Sequence, residues 1–381
     1  MDDVTSPAER VLSDPQLTDR MLSSLQALVL TESPSSDVQA CTRCAHVLVE
    51  QMNAWLPSPA ELLTHRGRPA VRWGAAQPRV LLIGHFDTVW PEGTLERLPW
   101  QVDGDRLRGP GVFDMKAGIV QGLAAVAAMD PGDAAHVGML FTSDEEIGSG
   151  TSRDLIESVA RHAHAVFVLE PSVEGELKSS RKGTSWYQVL ITGRAAHAGL
   201  EPEKGINALT EAARFITAAT GWGDAHEATT VTPTTARAGV TDNTVPDRAI
   251  IGVDARAWSF AEQQRVDDLV RGWALENPEA QLSVIAGGIN RPAMAASTEL
   301  VERALAIAAT HQVAVAGHRA VGGGSDGNFT AALGIPTLDG LGAVGDGAHA
   351  EHEWASVEGM RERAALVAAL TEDVVRKGHL V

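Results

Sequence analysis

Three short apolar runs, each followed by a polar or charged residue, constrain the fold of this 381-residue chain. The runs VLLIG (80–84), VGMLFT (137–142) and AVFVLE (165–170) are typical of buried strands. They alternate with segments in which apolar residues recur at helical spacing, such as FDMKAGIVQGLAAVAAM (113–129) and SVEGMRERAALVAALTEDVVRKG (356–378). Strands that alternate with helices predict an α/β sheet with helices on both faces.

The middle of the chain has a different pattern. Between Gly183 and Pro292 the segments WYQVLITG, GINALTEAARFITAAT, RAIIGVDARAW and QLSVIAGG include two helices beside several strands. The order β-α-β-β-α-β predicts a smaller ferredoxin-like α+β sandwich inserted into the first domain. The helix ELVERALAIAATH and a strand VAVAG (313–317) would then return to the larger domain. We expect residues 1–182 and 293–381 to form one domain and residues 183–292 the insert.

The charge of the chain limits its partners. It carries 31 basic and 49 acidic residues, a net charge of −18, which would repel phosphate backbones and anionic lipid. No apolar run approaches the roughly 20 residues of a membrane span, and the N-terminus MDDVTSPAER does not resemble a signal peptide. We therefore expect a cytoplasmic protein without nucleic acid or membrane partners.

The two cysteines, Cys41 and Cys44, form a CxxC pattern. Such a pair can be a redox pair or half of a zinc site, but no second CxxC completes such a site. The segment SSDVQACTRCAHVLVEQMNAWL is typical of an amphipathic helix after a Ser/Asp cap. A structural role for both thiols, on or beside the packed face of that helix, is the favoured interpretation.

The segment GHFDTVW (84–90) ends a predicted buried strand with His85 and Asp87. A charged group at this position must be paired, solvated or bound. Two interpretations are open: His85 caps the strand, or His85 binds a metal ion with Asp87 behind it.

Further acidic residues and a second histidine occur where such a metal would need partners. They are Asp114 in GPGVFDMKAG, Glu145 and Glu146 after VGMLFTSD, Glu170 at the end of AVFVLE, and His349 in GAVGDGAHAEHEW. In open α/β sheets, ligands bind beyond the carboxyl ends of the strands. Adjacent glutamates are usually a solvated face, but clustered carboxylates repel one another unless a cation lies between them.

Two imidazoles and three carboxylates form a nitrogen and oxygen donor set without thiolates. Such a set suits zinc, and cobalt or manganese less well. Five ligands exceed one open tetrahedral site but suffice for two metals that share a carboxylate. Of the adjacent pair, Glu145 is then left beside Glu146 as a candidate general base.

The motifs GHFDTVW, GPGVFDMKAG, TSDEEIGSG, LEP, GRAAHAG, GGGSD and GAH occur in this order over about residues 75–355. Together they resemble the M20 metallopeptidases, and most of all their glutamate carboxypeptidase branch. The resemblance implies a di-zinc exopeptidase catalytic domain with an inserted dimerisation or lid domain.

The resemblance also implies roles for the residues at the strand ends. His85, Asp114 and Glu170 would bind one zinc ion, and Asp114, Glu146 and His349 the other. Asp87 would orient His85, and Glu145 would be the general base.

For the insert, the resemblance implies that His197 in GRAAHAG stabilises the oxyanion in the active site of a partner subunit. Asn243 and Arg291 would hold the carboxylate of the substrate, for which arginine is well suited. On the residues alone, a histidine in a turn and a single arginine are more often surface residues. GGGSDGNF (322–329) lacks the lysine and spacing of a P-loop, and the resemblance makes Gly323 and Gly324 a wall of the substrate pocket instead.

The expected function is a zinc-dependent hydrolase that cleaves an amide bond of a small peptide or N-acyl amino acid and releases a free amino acid. Two alternatives stay open: an N-acyl-amino-acid deacylase, and a metal- or ligand-binding protein without catalysis. The presence of Glu145 argues against the second alternative, because a binding protein needs no base beside its metal.

We also expect a homodimer. In the insert, an edge strand and an apolar stripe are suited to an isologous contact. The stripe consists of Ile206, Leu209, Ala213 and Ile216. Whether His197 acts in the partner's site or in its own is left open by the sequence.

Overall fold

The computed structural model describes residues 5–378. The chain divides into two compact units. The larger unit comprises Met1–Ser180, Ala296–Val321 and Ser325–Val381, and the smaller unit comprises Arg181–Ala295 and Gly322–Gly324. That the insert folds as an independent domain stays a prediction.

Helices and strands alternate along most of the described chain. Its helices, α1 to α11 in chain order, are Pro7–Ser13, Leu17–Leu30, Val38–Trp55, Ala117–Ala127, Pro131–Ala134, Arg153–Ala160, Ala208–Ala219, Phe260–Arg271, Thr298–Thr310, Gly327–Ala332 and Val357–Lys377. Its strands, β1 to β16, are Glu61–His65, Arg68–Gly74, Val80–His85, Gln101–Asp103, Arg106–Arg108, Val137–Thr142, Ala165–Val168, Glu176–Arg181, Gly183–Thr192, Thr230–Ala238, Arg248–Ala257, Gln281–Arg291, Gly317–Val321, Thr337–Leu338, Gly345–Asp346 and Trp354–Ser356.

The larger unit is built around a six-stranded sheet in the order β1-β2-β6-β3-β7-β14. Strands β6, β3, β7 and β14 run parallel, whereas β1 and β2 are antiparallel to their neighbours. Every residue of β3, β6 and β7 is buried, as expected for parallel strands that are covered on both faces. The predicted α/β sheet is confirmed, and the carboxyl ends of β6, β3 and β7 lie next to one another.

The turn Val112–Lys116 connects β5 to helix α4 and is anchored on both sides. The buried Lys116 donates hydrogen bonds to the carbonyl oxygens of Leu28 and Thr31, at 2.9 and 3.1 Å, which satisfies acceptors at the end of α2. In α4, a Cβ on Gly118 would lie 2.0 Å from the carbonyl oxygen of Leu169. The glycine therefore lets α4 pack closely against the segment that follows β7.

The smaller unit has strands and helices in the order β9, α7, β10, β11, α8, β12. Its four strands form an antiparallel sheet in the order β10-β11-β9-β12. Alternate residues of β9, including Tyr187, Val189 and Ile191, pack with Phe215 of α7 and Val266 of α8 in a separate hydrophobic core. This arrangement confirms the predicted ferredoxin-like α+β sandwich.

Helix α7 buries a different face from the predicted apolar stripe. Its buried apolar residues are Ala208, Ala212, Phe215 and Ala219. Of the predicted stripe, Ile206 is buried and precedes the helix, Leu209 is 49% exposed, Ala213 is exposed and Ile216 is half-buried. Leu209 and Ala213 thus face outward, whereas Ile216 packs partly against the core of this unit.

The predicted strand VAVAG (313–317) is wrong, because β13 begins only at Gly317. The backbone N–H of Val313 bonds the carbonyl oxygen of Ala308 at 2.9 Å, and that of Ala316 bonds Gly175 at 3.1 Å. These bonds end helix α9 and hold residues 313–316 as a loop. The apolar side chain of Val313 is nevertheless buried in the core of the larger unit.

Two predicted boundaries also shift. Helix α4 starts at Ala117 and not at Phe113, because Asp114 has extended backbone angles of φ −115° and ψ 94°. Strand β7 ends at Val168, so Glu170 lies in the following loop.

Cys41 and Cys44 are buried in α3 after the Asp37 cap, and neither forms a disulfide in the described chain. This agrees with their expected place on the packed face of a helix. Across residues 5–378, no helix combines the length and apolar character that a membrane crossing demands.

Candidate metal centre

His85 is the last residue of strand β3 and lies at the carboxyl edge of the sheet, where its side chain is only 1% exposed. The ring Nδ1 lies 3.0 Å from the carbonyl oxygen of Asp87 and 3.5 Å from its Oδ1. The backbone N–H of His85 points to the sulfur of Met115 at 3.4 Å. Because Asp87 occupies the Nδ1 side of the ring, Nε2 is the atom that faces the neighbouring carboxylates.

Asp87 has a second set of contacts, with the turn that follows β6. Its two carboxylate oxygens accept the backbone N–H groups of Glu145 and Glu146, each at 3.3 Å. The carboxylate itself is fully buried. One aspartate therefore positions both the His85 ring and the turn that carries the two glutamates.

The first group of candidate ligands consists of His85, Asp114 and Glu170. His85 Nε2 lies 3.3 Å from Asp114 Oδ1 and 3.4 Å from Glu170 Oε1. The other oxygen of Glu170, Oε2, lies 3.7 Å from the ammonium nitrogen of the buried Lys178. This lysine partly balances the negative charge of the group.

The second group consists of Asp114, Glu146 and His349. His349 Nε2 lies 3.4 Å from Asp114 Oδ2 and 3.0 Å from Glu146 Oε2. Asp114 thus belongs to both groups and presents a different oxygen to each. Within each group the candidate ligand atoms all lie within 4.8 Å of one another, as is required of side chains that share one ion.

The unpaired atoms of this cluster fit a bound cation. His85 Nε2 and Asp114 Oδ1 are buried and have no hydrogen-bond partner within the described part of the chain. Buried polar atoms are almost always paired, so such atoms call for an explanation. Two imidazoles with three carboxylates are a common donor set for zinc and for related divalent metals.

The electrostatics of the cluster support the same interpretation. Burial alone would lower the pKa of His85, but the carboxylates of Asp114, Asp87 and Glu170 raise that pKa well above its ordinary value. Hydrogen bonds to Asp114 and Glu146 raise the pKa of His349 to about 10. In the absence of metal the His349 ring would therefore carry a proton at neutral pH, and a divalent ion can take the place of that proton.

The pKa values of the Asp114 and Glu146 carboxylates shift in opposite directions. Burial opposes ionisation of Asp114, but the imidazoles of His349 and His85 lower its pKa below the ordinary value. For Glu146 burial dominates and raises the pKa, and the negative charge of Asp114 adds to that effect. A charge of +2 or more between them would favour the ionised form of both.

The other predicted site residues belong to the smaller unit. His197 and Asn243 lie on adjacent exposed loops, joined by the N–H of Ala198, which bonds the carbonyl oxygen of Asn243 at 2.9 Å. Thr244, next to Asn243, forms a bridge with His197. The structure therefore brings His197 and Asn243 together at one end of this unit.

Arg291 and the glycine loop lie elsewhere in the smaller unit. Arg291 ends β12 and is 7% exposed, and its carbonyl oxygen accepts a bond from Gln263 at 2.9 Å. The carbonyl oxygens of Gly323 and Gly324 accept bonds from the guanidinium of Arg181, at 3.1 and 3.3 Å. Their predicted roles toward substrate stay predictions.

The sequence reasoning missed two buried charged residues of this region, Lys178 and Glu353. Lys178 lies within β8, where a lysine in ELKSSR gives no distinctive signal. Glu353 lies four positions after His349 and is 4% exposed. An acidic residue so close to a candidate ligand could have indicated a role at the site. The hydrogen-bond partners of Glu353, however, come from distant segments of the chain.

A third acidic group, Asp130, Asp133 and Glu372, also has metal-like spacing. Its carboxylates pair with the guanidinium groups of Arg10 and Arg376 at 2.8 to 3.3 Å. These ion pairs already account for its clustered charge.

Comparison with known proteins identifies the family. The sequence pattern of Peptidase family M20/M25/M40 matches residues 81–373. The chain belongs to this family. It is 33% identical over 315 residues to carboxypeptidase G2 from Pseudomonas sp. (strain RS-16), a match that covers 79% of this chain and 75% of that protein.

Solved structures share the fold at lower sequence identity. An M20 family metallo-carboxypeptidase from Sulfolobus solfataricus superimposes with a TM-score of 0.70 at 17% identity, over 92% of this chain and 98% of that one. A Bacillus subtilis protein described as a dinuclear metal binding peptidase from the M20 family gives a TM-score of 0.61 at 15% identity, over 95% and 99%. The family membership makes this chain an enzyme of the peptidase and amidohydrolase class.

Proposed function

We propose that this chain is a zinc-dependent exopeptidase that releases a free amino acid from a small peptide or N-acyl amino acid, in the manner of a glutamate carboxypeptidase. The observation that carries the proposal is Asp114, whose two oxygens belong to two ligand groups. A carboxylate shared in this way, with a spare glutamate beside it, is the arrangement expected of a two-metal hydrolase.

In this proposal His85, Asp114 and Glu170 hold one zinc ion, and Asp114, Glu146 and His349 hold the other. When bound, the two ions would polarise the scissile carbonyl and make water a nucleophile at neutral pH. Cobalt or manganese could substitute, because the donor set contains no thiolate. The dinuclear site reported for the Bacillus subtilis peptidase supports the count of two.

Glu145 is the proposed general base. It is 9% exposed and lies next to Glu146 in the turn that Asp87 holds through its backbone N–H groups. Its carboxylate would accept a proton from the attacking water and pass it to the nitrogen of the leaving amine. Asp87 would keep both the His85 ring and this turn in place while the proton moves.

The smaller unit would recognise the substrate. Arg291 and Asn243 would hold the α-carboxylate of the amino acid to be released, with Gly323 and Gly324 close to the substrate. His197 would donate to the oxyanion as it forms. The support is the chemistry of these side chains and the similarity to carboxypeptidase G2 over most of the chain.

We further propose that the enzyme works as a homodimer in which His197 completes the site of the partner. The loops that carry His197 and Asn243 also carry Leu200 and Val240, which are 79% and 98% exposed. Leu209 of α7 is 49% exposed. Apolar side chains exposed to this degree favour burial against a second chain. A cytoplasmic location stays a prediction.

The direct test is a substrate panel with the zinc-reconstituted full chain. The panel contains α-linked dipeptides, γ-linked glutamyl compounds, N-acyl amino acids and N-carbamoyl amino acids, each scored by the amino acid released. We expect turnover of substrates with a free α-carboxylate and none of the matching α-amides. Preference for simple aliphatic acyl groups would instead favour the N-acyl-amino-acid deacylase. If the fully metal-loaded protein turns over no member of the panel, the result would contradict the proposed exopeptidase and favour a binding protein without catalysis.

A further inference from the structure

One buried carboxylate joins the loops that carry two of the candidate ligands. Glu353 is 4% exposed and accepts four hydrogen bonds. Its Oε1 accepts the backbone N–H groups of Phe113 and Asp114, at 2.9 and 3.2 Å. Its Oε2 accepts the backbone N–H of Gly111 at 3.0 Å and the indole N–H of Trp90 at 2.9 Å.

The backbone around Asp114 needs such an acceptor. Gly111 has a left-handed conformation with φ +73°, and Asp114 has an extended one. Regular α-helical bonding is therefore interrupted there, and the N–H groups of Gly111, Phe113 and Asp114 bond the Glu353 carboxylate in place of a backbone carbonyl oxygen. A carboxylate that accepts several of them stabilises the turn in one conformation.

Glu353 is linked to His349 through two consecutive hydrogen-bonded turns. The N–H of Ala350 bonds the carbonyl oxygen of Gly347, and the N–H of Glu353 bonds that of Ala350, both at 2.9 Å. These consecutive turns span residues 347–353. Glu353 lies at one end of these turns and accepts hydrogen bonds from residues 111–114. It therefore fixes the position of His349 relative to Asp114.

We propose that Glu353 is a positioning residue that sets the separation of Asp114 and His349 and thereby the affinity for metal. This inference rests on the proposed function. Glu353 itself contributes no oxygen to either ligand group. Its contribution is to hold the main chain that leads into the shared ligand, through the N–H groups of Gly111, Phe113 and Asp114, in the way that hydrogen-bond partners behind a metal site tune the affinity.

The variant Glu353→Gln tests this role at nearly constant volume. An amide has one acceptor oxygen, so its NH₂ group must face two of the four N–H donors, and those donors lose their acceptor. We expect the dissociation constant of at least one zinc ion to rise about 10- to 100-fold. We also expect the visible absorption of the cobalt-loaded protein to change, because the ligand geometry shifts.

Two matched variants separate positioning from packing. Glu351→Gln changes an exposed carboxylate of the same loop, whose partner is Arg97, and is expected to bind metal as the wild type does. Trp90→Phe removes one of the four donors but leaves the three from residues 111–114, and is expected to keep the wild-type cobalt spectrum. Glu353→Asp keeps the charge but withdraws it by one methylene, and we expect weakened binding of a smaller degree.

The readout is the zinc content and affinity of the full-length protein, measured by titration against a chelator, with the cobalt spectrum alongside. If Glu353→Gln does not fold, Glu353→Asp carries the comparison. A folded Glu353→Gln or Glu353→Asp protein with two zinc ions, wild-type affinity and an unchanged cobalt spectrum would overturn the inference alone. A wild-type protein that binds no zinc would overturn the proposed function and this inference with it.

Discussion

In the larger unit four of the five candidate metal ligands are buried or half-buried, with His85 only 1% exposed and His349 alone exposed, whereas in the smaller unit His197 and Asn243 both lie on exposed loops. The first set is held by buried hydrogen bonds that Asp87 and Glu353 accept. The second is held mainly by loop backbone contacts. This difference agrees with our proposal that one chain arranges the metal site by itself and that a second chain completes substrate recognition.

The largest effect is expected from Asp114→Ala. Because Asp114 is the ligand shared by both groups, its removal should abolish binding of both metal ions and reduce turnover to background. His349→Ala should remove one ion in preference to the other. Elemental analysis after dialysis gives the stoichiometry, and near-complete retention of two ions by Asp114→Ala would break the assignment of a shared ligand.

The variant Glu145→Gln separates catalysis from metal binding within the larger unit. The amide has nearly the same shape but cannot accept a proton, so kcat should fall at the upper end of about 10²–10⁴-fold with both metals retained. Glu61→Gln, at an exposed position of β1, is the control and should leave kcat unchanged. If Glu145→Gln retains more than roughly a tenth of wild-type kcat at full loading, another group is the base.

The variant His197→Ala tests the proposed role of the exposed loops of the smaller unit. Loss of an oxyanion donor should lower kcat by about 10²–10³-fold without changing the zinc content. Mixing His197→Ala chains with Glu145→Gln chains under conditions of subunit exchange should restore activity, because one site of each mixed dimer then contains neither defect. No restoration on mixing, or a monomer by light scattering at working concentration, would contradict action in the partner's site.

A smaller effect is expected from Arg291→Lys. Lysine keeps the charge but cannot form the paired hydrogen bonds of a guanidinium, so KM should rise about 10- to 100-fold with a lesser change in kcat. Arg194→Lys, at a surface ion pair with Glu279, is the matched control. Steady-state kinetics with a substrate and its α-amide give the comparison, and an equal response of both variants would remove Arg291 from substrate binding.

The remaining prediction concerns the pH dependence of zinc binding. Hydrogen bonds to Asp114 and Glu146 raise the pKa of His349 to about 10 in the metal-free protein, so a proton must leave the ring before it binds an ion. Zinc affinity should therefore strengthen as pH rises from about 6 to 8.5, by up to about tenfold per pH unit for each proton displaced. A constant dissociation constant over this range, with free zinc set by a chelator, would contradict the raised pKa.

Local patterns determined much of this protein from the sequence. The buried strands at Val80 and Val137 and the cap before α3 follow from short-range periodicity and capping chemistry. The candidate ligands could be named because a parallel sheet gathers the carboxyl ends of its strands at one edge. The start of β13 could not be predicted from the apolar residues before it. Val313 is buried in the core but lies in a loop, and an apolar side chain alone does not distinguish the two cases.

Only the tertiary structure decided which atoms of these residues meet. That each oxygen of Asp114 belongs to a different group depends on the turn at residues 112–116, and that Asp87 holds the Glu145 turn depends on the register of β3 against β6. Glu353 is separated from Asp114 by 239 positions, yet the two are joined by a hydrogen bond. Such contacts leave no local pattern in the sequence, because backbone N–H donors are the same at every residue and only the fold selects which of them a buried carboxylate reaches.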